Sequence, residues 1–170
     1  MHSSDRIVSY VDILGVSSRV ERWDGSSQFP EALEKALKNA TDYVGGKHAF
    51  RKGEVENWRL NIFSDSACIS QEPTPLGLLR SLEGVALFQR VMLTHGFLVR
   101  GGISIGAHYQ SRLALVSKAL LEAYALEKHE SHMPRIILSP KILQFVDAIP
   151  DVSERHEIKE QGVVRSGYCL

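Results

Sequence analysis

Two aspartates stand where a carboxylate could hold a divalent cation. Asp65 lies in Asn-Ile-Phe-Ser-Asp-Ser-Ala-Cys-Ile-Ser, residues 61–70, between the strand-like runs Leu60 to Phe63 and Ala67 to Ser70. Asp12 closes Ile-Val-Ser-Tyr-Val-Asp, residues 7–12, a β-branched and aromatic run that reads as a strand. An acid at a hairpin tip or strand end has an ordinary explanation, because Asp and Ser hydrogen-bond their own backbone and favour turns. The alternative is a metal. Mg²⁺ is held by one or two carboxylates plus substrate phosphates and waters, and two metals ~4 Å apart can clamp the attacking and leaving oxygens of an in-line displacement. Each aspartate alone fits the turn explanation better. The pair is more informative, because a sheet with the first strand beside the hairpin brings both acids to one end.

Two further stretches could hold phosphate. After Asp12, Ile13-Leu14-Gly15-Val16 enters a helix; amides at a helix N-terminus bind phosphate without basic side chains, and Gly15 permits close approach. The same glycine is also an ordinary helix start. In Val-Arg-Gly-Gly-Ile-Ser-Ile-Gly, residues 99–106, alternation puts Val99, Gly101, Ile103 and Ile105 on a core face and Arg100, Gly102, Ser104 and Gly106 on a nearly bare one. Strand glycines mark the close approach of a ligand or of another backbone, and arginine grips phosphate bidentately. A surface arginine beside a dimer contact is the equal alternative.

The elements that must position these residues follow from periodicity. After the first strand a short helix is expected to about Arg22, then a loop at Asp24–Ser27. Phe29, Leu33, Ala36, Leu37, Ala40 and Val44 form one helical face, with Pro30 in the first turn and Gly45-Gly46 as the stop. A basic loop carries Lys47, His48, Arg51 and Lys52, and the hairpin occupies about Glu56 to Ser70. Leu78, Leu82, Val85 and Met92 stripe a helix from about Leu76 to His95; Phe97 to Ile105 is a strand. Leu113, Val116, Leu120 and Ala123 predict a helix ending near His129, followed by a short strand at Arg135–Leu138 and a short helix at Pro140–Val146. The order β-α-α-β-β-α-β-α-β predicts an α+β, ferredoxin-like sandwich with an antiparallel-containing sheet and helices mainly on one face. The other face then needs a partner or a ligand.

Composition narrows the function classes. The 170 residues fit one domain, 1–170. Twenty basic and twenty acidic residues give zero net charge, which argues against a dedicated nucleic-acid or anionic-membrane binder. Cys68 sits in an apolar run as a small buried hydrophobe, and no CxxC spacing supports a cysteine zinc site. The N-terminus has no signal-peptide core, and no apolar run approaches the ~20 residues of a membrane span, so a cytoplasmic protein is expected. His129 and His132 form an HxxH pair with no acid to complete a zinc site. There is no P-loop signature.

Tyr-Val-Asp-Ile-Leu-Gly (10–15), Phe-Ser-Asp-Ser (63–66), Arg-Gly-Gly-Ile-Ser-Ile-Gly (100–106) and Ala-Leu-Leu-Glu-Ala-Tyr-Ala-Leu-Glu (119–127) together resemble the class III nucleotide cyclases. Within them they look most like the pyrimidine nucleotide cyclases of the Pycsar anti-phage defence system. The resemblance implies a palm-type cyclase domain that acts as a homodimer with interface active sites. It implies conversion of UTP, or alternatively CTP, into the 3′,5′-cyclic monophosphate and pyrophosphate, the product then activating an effector. It implies that Asp12 and Asp65 bind two Mg²⁺ or Mn²⁺ ions with the Ile13 carbonyl as a further ligand. The turn at Leu14, Gly15, Val16 and Ser17 would hold phosphates, and Arg100 would face the triphosphate.

Purine cyclases place a lysine four residues before the second metal aspartate; here that residue is Asn61. By alternation Arg59, Asn61, Phe63 and Asp65 share a face while Leu60 and Ile62 point to the core, and Asn offers both donor and acceptor to a base edge. The asparagine and arginine that class III enzymes carry on the later helix correspond to Leu121 and Ala125. That leaves Tyr124, Arg100 or the 47–52 loop as the transition-state donor. It also keeps open a cyclase-like module that binds nucleotide without turnover. Another palm-type nucleotidyl transferase shares the two-acid site but lacks support from a template-binding basic surface.

Overall fold

The computed structural model describes residues 4–45, 59–63, 65–111 and 113–150. The basic loop at 47–52 and the tail beyond 150 lie outside the described residues. The first strand, β1 (Ser4–Ile13), leads through Leu14-Gly15 into the short helix α1 (Val16–Glu21) and then α2 (Gln28–Gly45). The hairpin is β2 (Arg59–Phe63) and β3 (Ser66–Gln71), followed by α3 (Pro75–Thr94) and β4 (Val99–Gln110). Then come β5 (Leu115–Ser117), α4 (Lys118–Glu130), β6 (Ile136–Leu138) and α5 (Pro140–Asp147).

Among the described residues one six-stranded sheet runs β2-β3-β1-β4-β5, with β6 also paired to β4. All pairings are antiparallel except β4–β6. The first strand is therefore central and lies beside the hairpin, as expected. Ile7, Val11 and Ile13 of β1, Ala67 and Ile69 of β3 and Ile103 of β4 form one face of the sheet. They bury against Ala36, Ala40 and Val44 of α2, Leu78, Val85, Phe88 and Met92 of α3, and Ile142 and Val146 of α5. Phe88 is fully buried at the centre of this layer. Phe88→Ala is expected to cost about 3–5 kcal/mol, transfer and cavity terms together, measurable as a lower urea midpoint with an unchanged slope.

The opposite face is not left bare. There α4 is the one helix among the described residues, and Val8, Cys68 and Ala119 make a small second cluster. A Cβ at Gly102 would overlap the Ala123 carbonyl oxygen and meet Leu126, and a Cβ at Gly106 would lie 3.7 Å from the Ala119 amide. Gly102 of β4 thus admits a helix backbone from the same chain, with Gly106 under the start of that helix, which corrects the expectation of a face open to a partner or ligand at these positions.

The expected helix from Leu113 is shorter than its apolar spacing implies. Ser111 Oγ accepts from the Leu113 and Ala114 amides and makes a turn, so Leu115–Ser117 returns as β5 alongside β4. Ser117 Oγ then accepts from the Leu120 amide at 3.0 Å and caps α4. Leu113 and Val116 are left exposed. Ile62 lies opposite Ala67, on the predicted core face, yet is 43% exposed, since β2 is the edge strand among the described residues. Among the described residues no helix is long and apolar enough to cross a membrane.

Candidate active site

The end of β1 is held from both sides. Asp12 is in register with Ser66 of β3 and with Arg100 of β4. One residue on, the Ile13 amide donates to the Asp65 carbonyl and the Leu14 amide to the Leu98 carbonyl, both at 2.9 Å. Antiparallel pairing with the hairpin therefore carries Asp65 to the same end of the sheet as Asp12. The side chains of Asp12, Ser66 and Arg100 belong to the face crossed by α4, since alternate positions Val8, Cys68 and Gly102 pack under that helix.

The Asp12 carboxylate is 19% exposed and accepts from Ser66 Oγ at 3.4 Å. Ser66 Oγ is in turn 2.8 Å from the Tyr10 hydroxyl, and the Tyr10 ring meets Tyr124 of α4 edge-to-face at 5.4 Å. Arg100 Nε lies 3.6 Å from Asp12 Oδ2 and forms a closer ion pair with Glu127 Oε1. Its Nη1 donates to the Ser131 carbonyl at 3.4 Å. Ser131 Oγ donates to the Met133 and Arg135 carbonyls at 3.0 Å, fixing the chain after α4.

Glu127 was not singled out from the sequence, and neither were Ser66 or Tyr10. A signal existed for Glu127: residues 119, 123 and 127 are spaced by four, so the glutamate continues the buried alanine stripe of α4 and is 3% exposed. A charge on a buried stripe needs a partner, and Arg100 is that partner.

The electrostatics are those of clustered acids around one arginine. Burial raises the Asp12 carboxyl above its ordinary value, and the nearby charge of Asp65 raises it further, while Arg100 pulls it back. Burial likewise raises Glu127, against Arg100, with Asp12 adding to the rise. Burial pushes the Cys68 thiol up to about 12, so it is an inert core residue, as expected. A carboxyl whose folded pKa lies above its unfolded one binds more protons in the native state. Its contribution to stability is full below the unfolded pKa and is lost as pH rises through the folded one. Glu127→Gln is therefore expected to flatten the decline in stability on raising the pH through and just above the ordinary carboxylate range, read from denaturant midpoints across that window.

The other predicted residues are placed as follows. Gly15 has φ 80° and caps α1 without a side-chain hydrogen bond, a conformation that favours glycine. Leu14 is half-buried, Ser17 is exposed, and the Val16 side chain enters the main core, so only backbone groups of Val16 face the turn. Asn61 is in register with Cys68, itself opposite Tyr10, and Arg59 is opposite Ser70; the side chains of both lie outside the described residues. Leu121 and Ala125 are on the exposed side of α4.

The donor chemistry suits a hard divalent cation. Two carboxylates lie at one end of the sheet, near enough that the charge of Asp65 adds to the effect of burial in raising Asp12, and both offer oxygen ligands. Among the described residues no three His, Cys, Asp or Glu side chains are grouped so as to hold a metal ion by themselves. Backbone carbonyl, water and phosphate oxygens would have to complete the shell.

No protein-family model matches the chain, and no curated protein matches it. Solved structures do. The catalytic core of a rhodopsin-guanylyl cyclase with converted specificity, solved with ATPαS, is 14% identical with a TM-score of 0.63, covering 86% of this chain and 83% of that one. The non-canonical dimeric guanylyl cyclase domain of the RhoGC fusion protein from Blastocladiella emersonii is 12% identical with a TM-score of 0.61, covering 87% and 86%. A class III adenylyl cyclase-like ATP-binding protein from Pseudomonas aeruginosa is 8% identical with a TM-score of 0.59, covering 94% of this chain and 40% of its own. Identities this low carry the architecture and nothing finer: the chain has the fold of the class III cyclase domain.

Proposed function

We propose that this chain is a metal-dependent nucleotide cyclase that converts a nucleoside triphosphate to its 3′,5′-cyclic monophosphate and pyrophosphate. The observation that carries this reading is the register that brings Asp12 and Asp65 to one end of the sheet. These two carboxylates, with the Ile13 carbonyl, would hold Mg²⁺ or Mn²⁺, which supplies an acidified 3′-hydroxyl and charge neutralisation on the triphosphate. The ribose 3′-oxygen attacks the α-phosphorus in line and pyrophosphate leaves. Positioning and charge stabilisation carry such a transfer, so no protein nucleophile is required. The turn at Leu14 to Ser17 would receive phosphate oxygens on its backbone. Arg100 would hold the acid cluster together through Asp12 and Glu127, and would turn to phosphate only by loosening one of these pairs.

The base is read as a pyrimidine, UTP before CTP. Support comes from Asn61, which stands where purine cyclases carry lysine and is in register with Cys68 and, through it, Tyr10. On this reading the chain works as a homodimer whose product is a second messenger for an effector in anti-phage defence. A second reading is a nucleotide-binding module without turnover. It is favoured by the exposed Leu121 and Ala125, whose side chains have no donor, and by likeness to a cyclase-like ATP-binding protein.

The test is incubation with ATP, GTP, CTP and UTP separately in Mn²⁺, with products identified by mass spectrometry. Cyclic UMP from UTP alone, absent with Asp65→Ala, is the expected result. Nucleotide binding without any cyclic product favours the second reading.

A further inference from the structure

The second half of α1, the loop after it and the first turn of α2 enclose an open cleft of about 520 Å³, lined by Arg19, Arg22, Trp23, Asp24, Gln28 and Phe29 among others. None of the residues assigned above to metal or nucleotide lines it. Neither of its two arginines has an acid partner among the described residues. The Arg19 guanidinium lies 5.0 Å from the Phe97 ring centre and 5.7 Å from that of Phe29, and it makes no hydrogen bond or ion pair among the described residues. Arg22 donates Nε to the Ser18 carbonyl at 2.9 Å and has no acid partner among the described residues.

The remaining polar groups of the cleft are spent on its own loop. Asp24 Oδ1 accepts from the Ser26 amide at 2.9 Å. Trp23 donates its indole N–H to the Ser26 carbonyl at 2.6 Å, which fixes a ring that is still 48% exposed. Two guanidinium groups with no carboxylate partner among the described residues, that of Arg19 over aromatic rings, therefore stand beside a fixed indole. Guanidinium forks match phosphate oxygens, an exposed indole stacks on flat rings, and the volume falls within the range of small-molecule sites.

We propose that this cleft is a second ligand site for a small planar ring bearing a phosphate, with Arg19 and Arg22 on the phosphate and Trp23 on the ring. The site is separate from the acid cluster and needs no metal.

Calorimetric titration of the full chain with uridine 5′-monophosphate in EDTA tests it, with inorganic phosphate, uridine and salicylate as parallel probes. Saturable binding is expected, at least tenfold tighter than for any of the three partial probes. It should weaken about tenfold in Arg22→Gln and in Trp23→Ala, and be unchanged in Asp65→Ala. Arg22 and Trp23 are exposed, so these variants should keep the native melting temperature; Arg19→Gln, which also loses ring contacts, is secondary. No saturable binding, equal binding of inorganic phosphate, indifference to Arg22→Gln, or loss in Asp65→Ala would each overturn the proposal. The last would place the ligand at the acid cluster instead. Cyclase activity enters none of these readouts, so failure here leaves the cyclase reading untouched, and the reverse holds equally.

Discussion

Asp65→Asn is expected to lower kcat/KM for the nucleoside triphosphate by about a thousandfold, roughly 4 kcal/mol of transition-state stabilisation, while leaving the fold intact. The fold survives because Asp65 contributes to the hairpin through its backbone: its carbonyl, not its side chain, accepts from Ile13. A stability measurement separates the metal role from the turn role. In EDTA the variant should melt no lower than the native chain and somewhat higher, because the charge of Asp65 is a cause of the raised Asp12 carboxyl and its removal relieves that repulsion. With Mn²⁺ the order should invert. A cation at a hundred times its dissociation constant stabilises the native state by about 2.7 kcal/mol, which for a chain of this size is a rise of roughly 5–10 °C. The variant should lose most of that rise. A turn-forming aspartate with no ligand role predicts the opposite pattern: a lower melting temperature in EDTA and no difference in the response to Mn²⁺.

What made this pair legible is that each aspartate is marked by local chemistry, Asp12 by closing a β-branched and aromatic run and Asp65 by turn composition, and only the strand order was needed to bring them to one end of the sheet. The helical stripes of α2 and α3 were legible for the same reason, since their periodicity is local. The failures are those of context. Leu113, Val116, Leu120 and Ala123 have helical spacing, but Ser111 turns the chain and Ser117 caps the helix, so the first two belong to a hairpin. Gly102 announced a close approach without saying of what, because a ligand, a partner and a helix of the same chain make the same demand on a strand, and Gly106 made the same announcement although a Cβ there would have room. Glu127 escaped because its meaning depends on Arg100, twenty-seven positions earlier and joined to it only when α4 lies across the sheet. Charge partners across elements are tertiary facts.

The position of α4 is also where one methyl group should have its largest effect. Gly102→Ala is expected to destabilise the chain by about 3 kcal/mol, the upper part of the usual overpacking range, or roughly 6–12 °C in melting temperature. The added Cβ would overlap the Ala123 carbonyl oxygen and lie 3.0 Å from the Leu126 Cβ. Neither neighbour is the end of a flexible side chain, so the helix itself must lift. Gly106→Ala, on the same face of the same strand, is the control. Its Cβ would sit 3.7 Å from the Ala119 amide and 3.9 Å from the Ala119 Cβ, ordinary contact distances, so it should be neutral or gain up to about 1 kcal/mol by restricting the unfolded chain. The two substitutions have the same chemistry and the same strand propensity, and differ only in what stands above them. Lifting α4 at Ala123 also draws Glu127, one turn on, away from Arg100. Gly102→Ala should therefore impair turnover in the surviving native fraction, and Gly106→Ala should not. Equal stability of the two variants would mean that α4 does not rest on β4 as described, and that the glycines face something other than this helix.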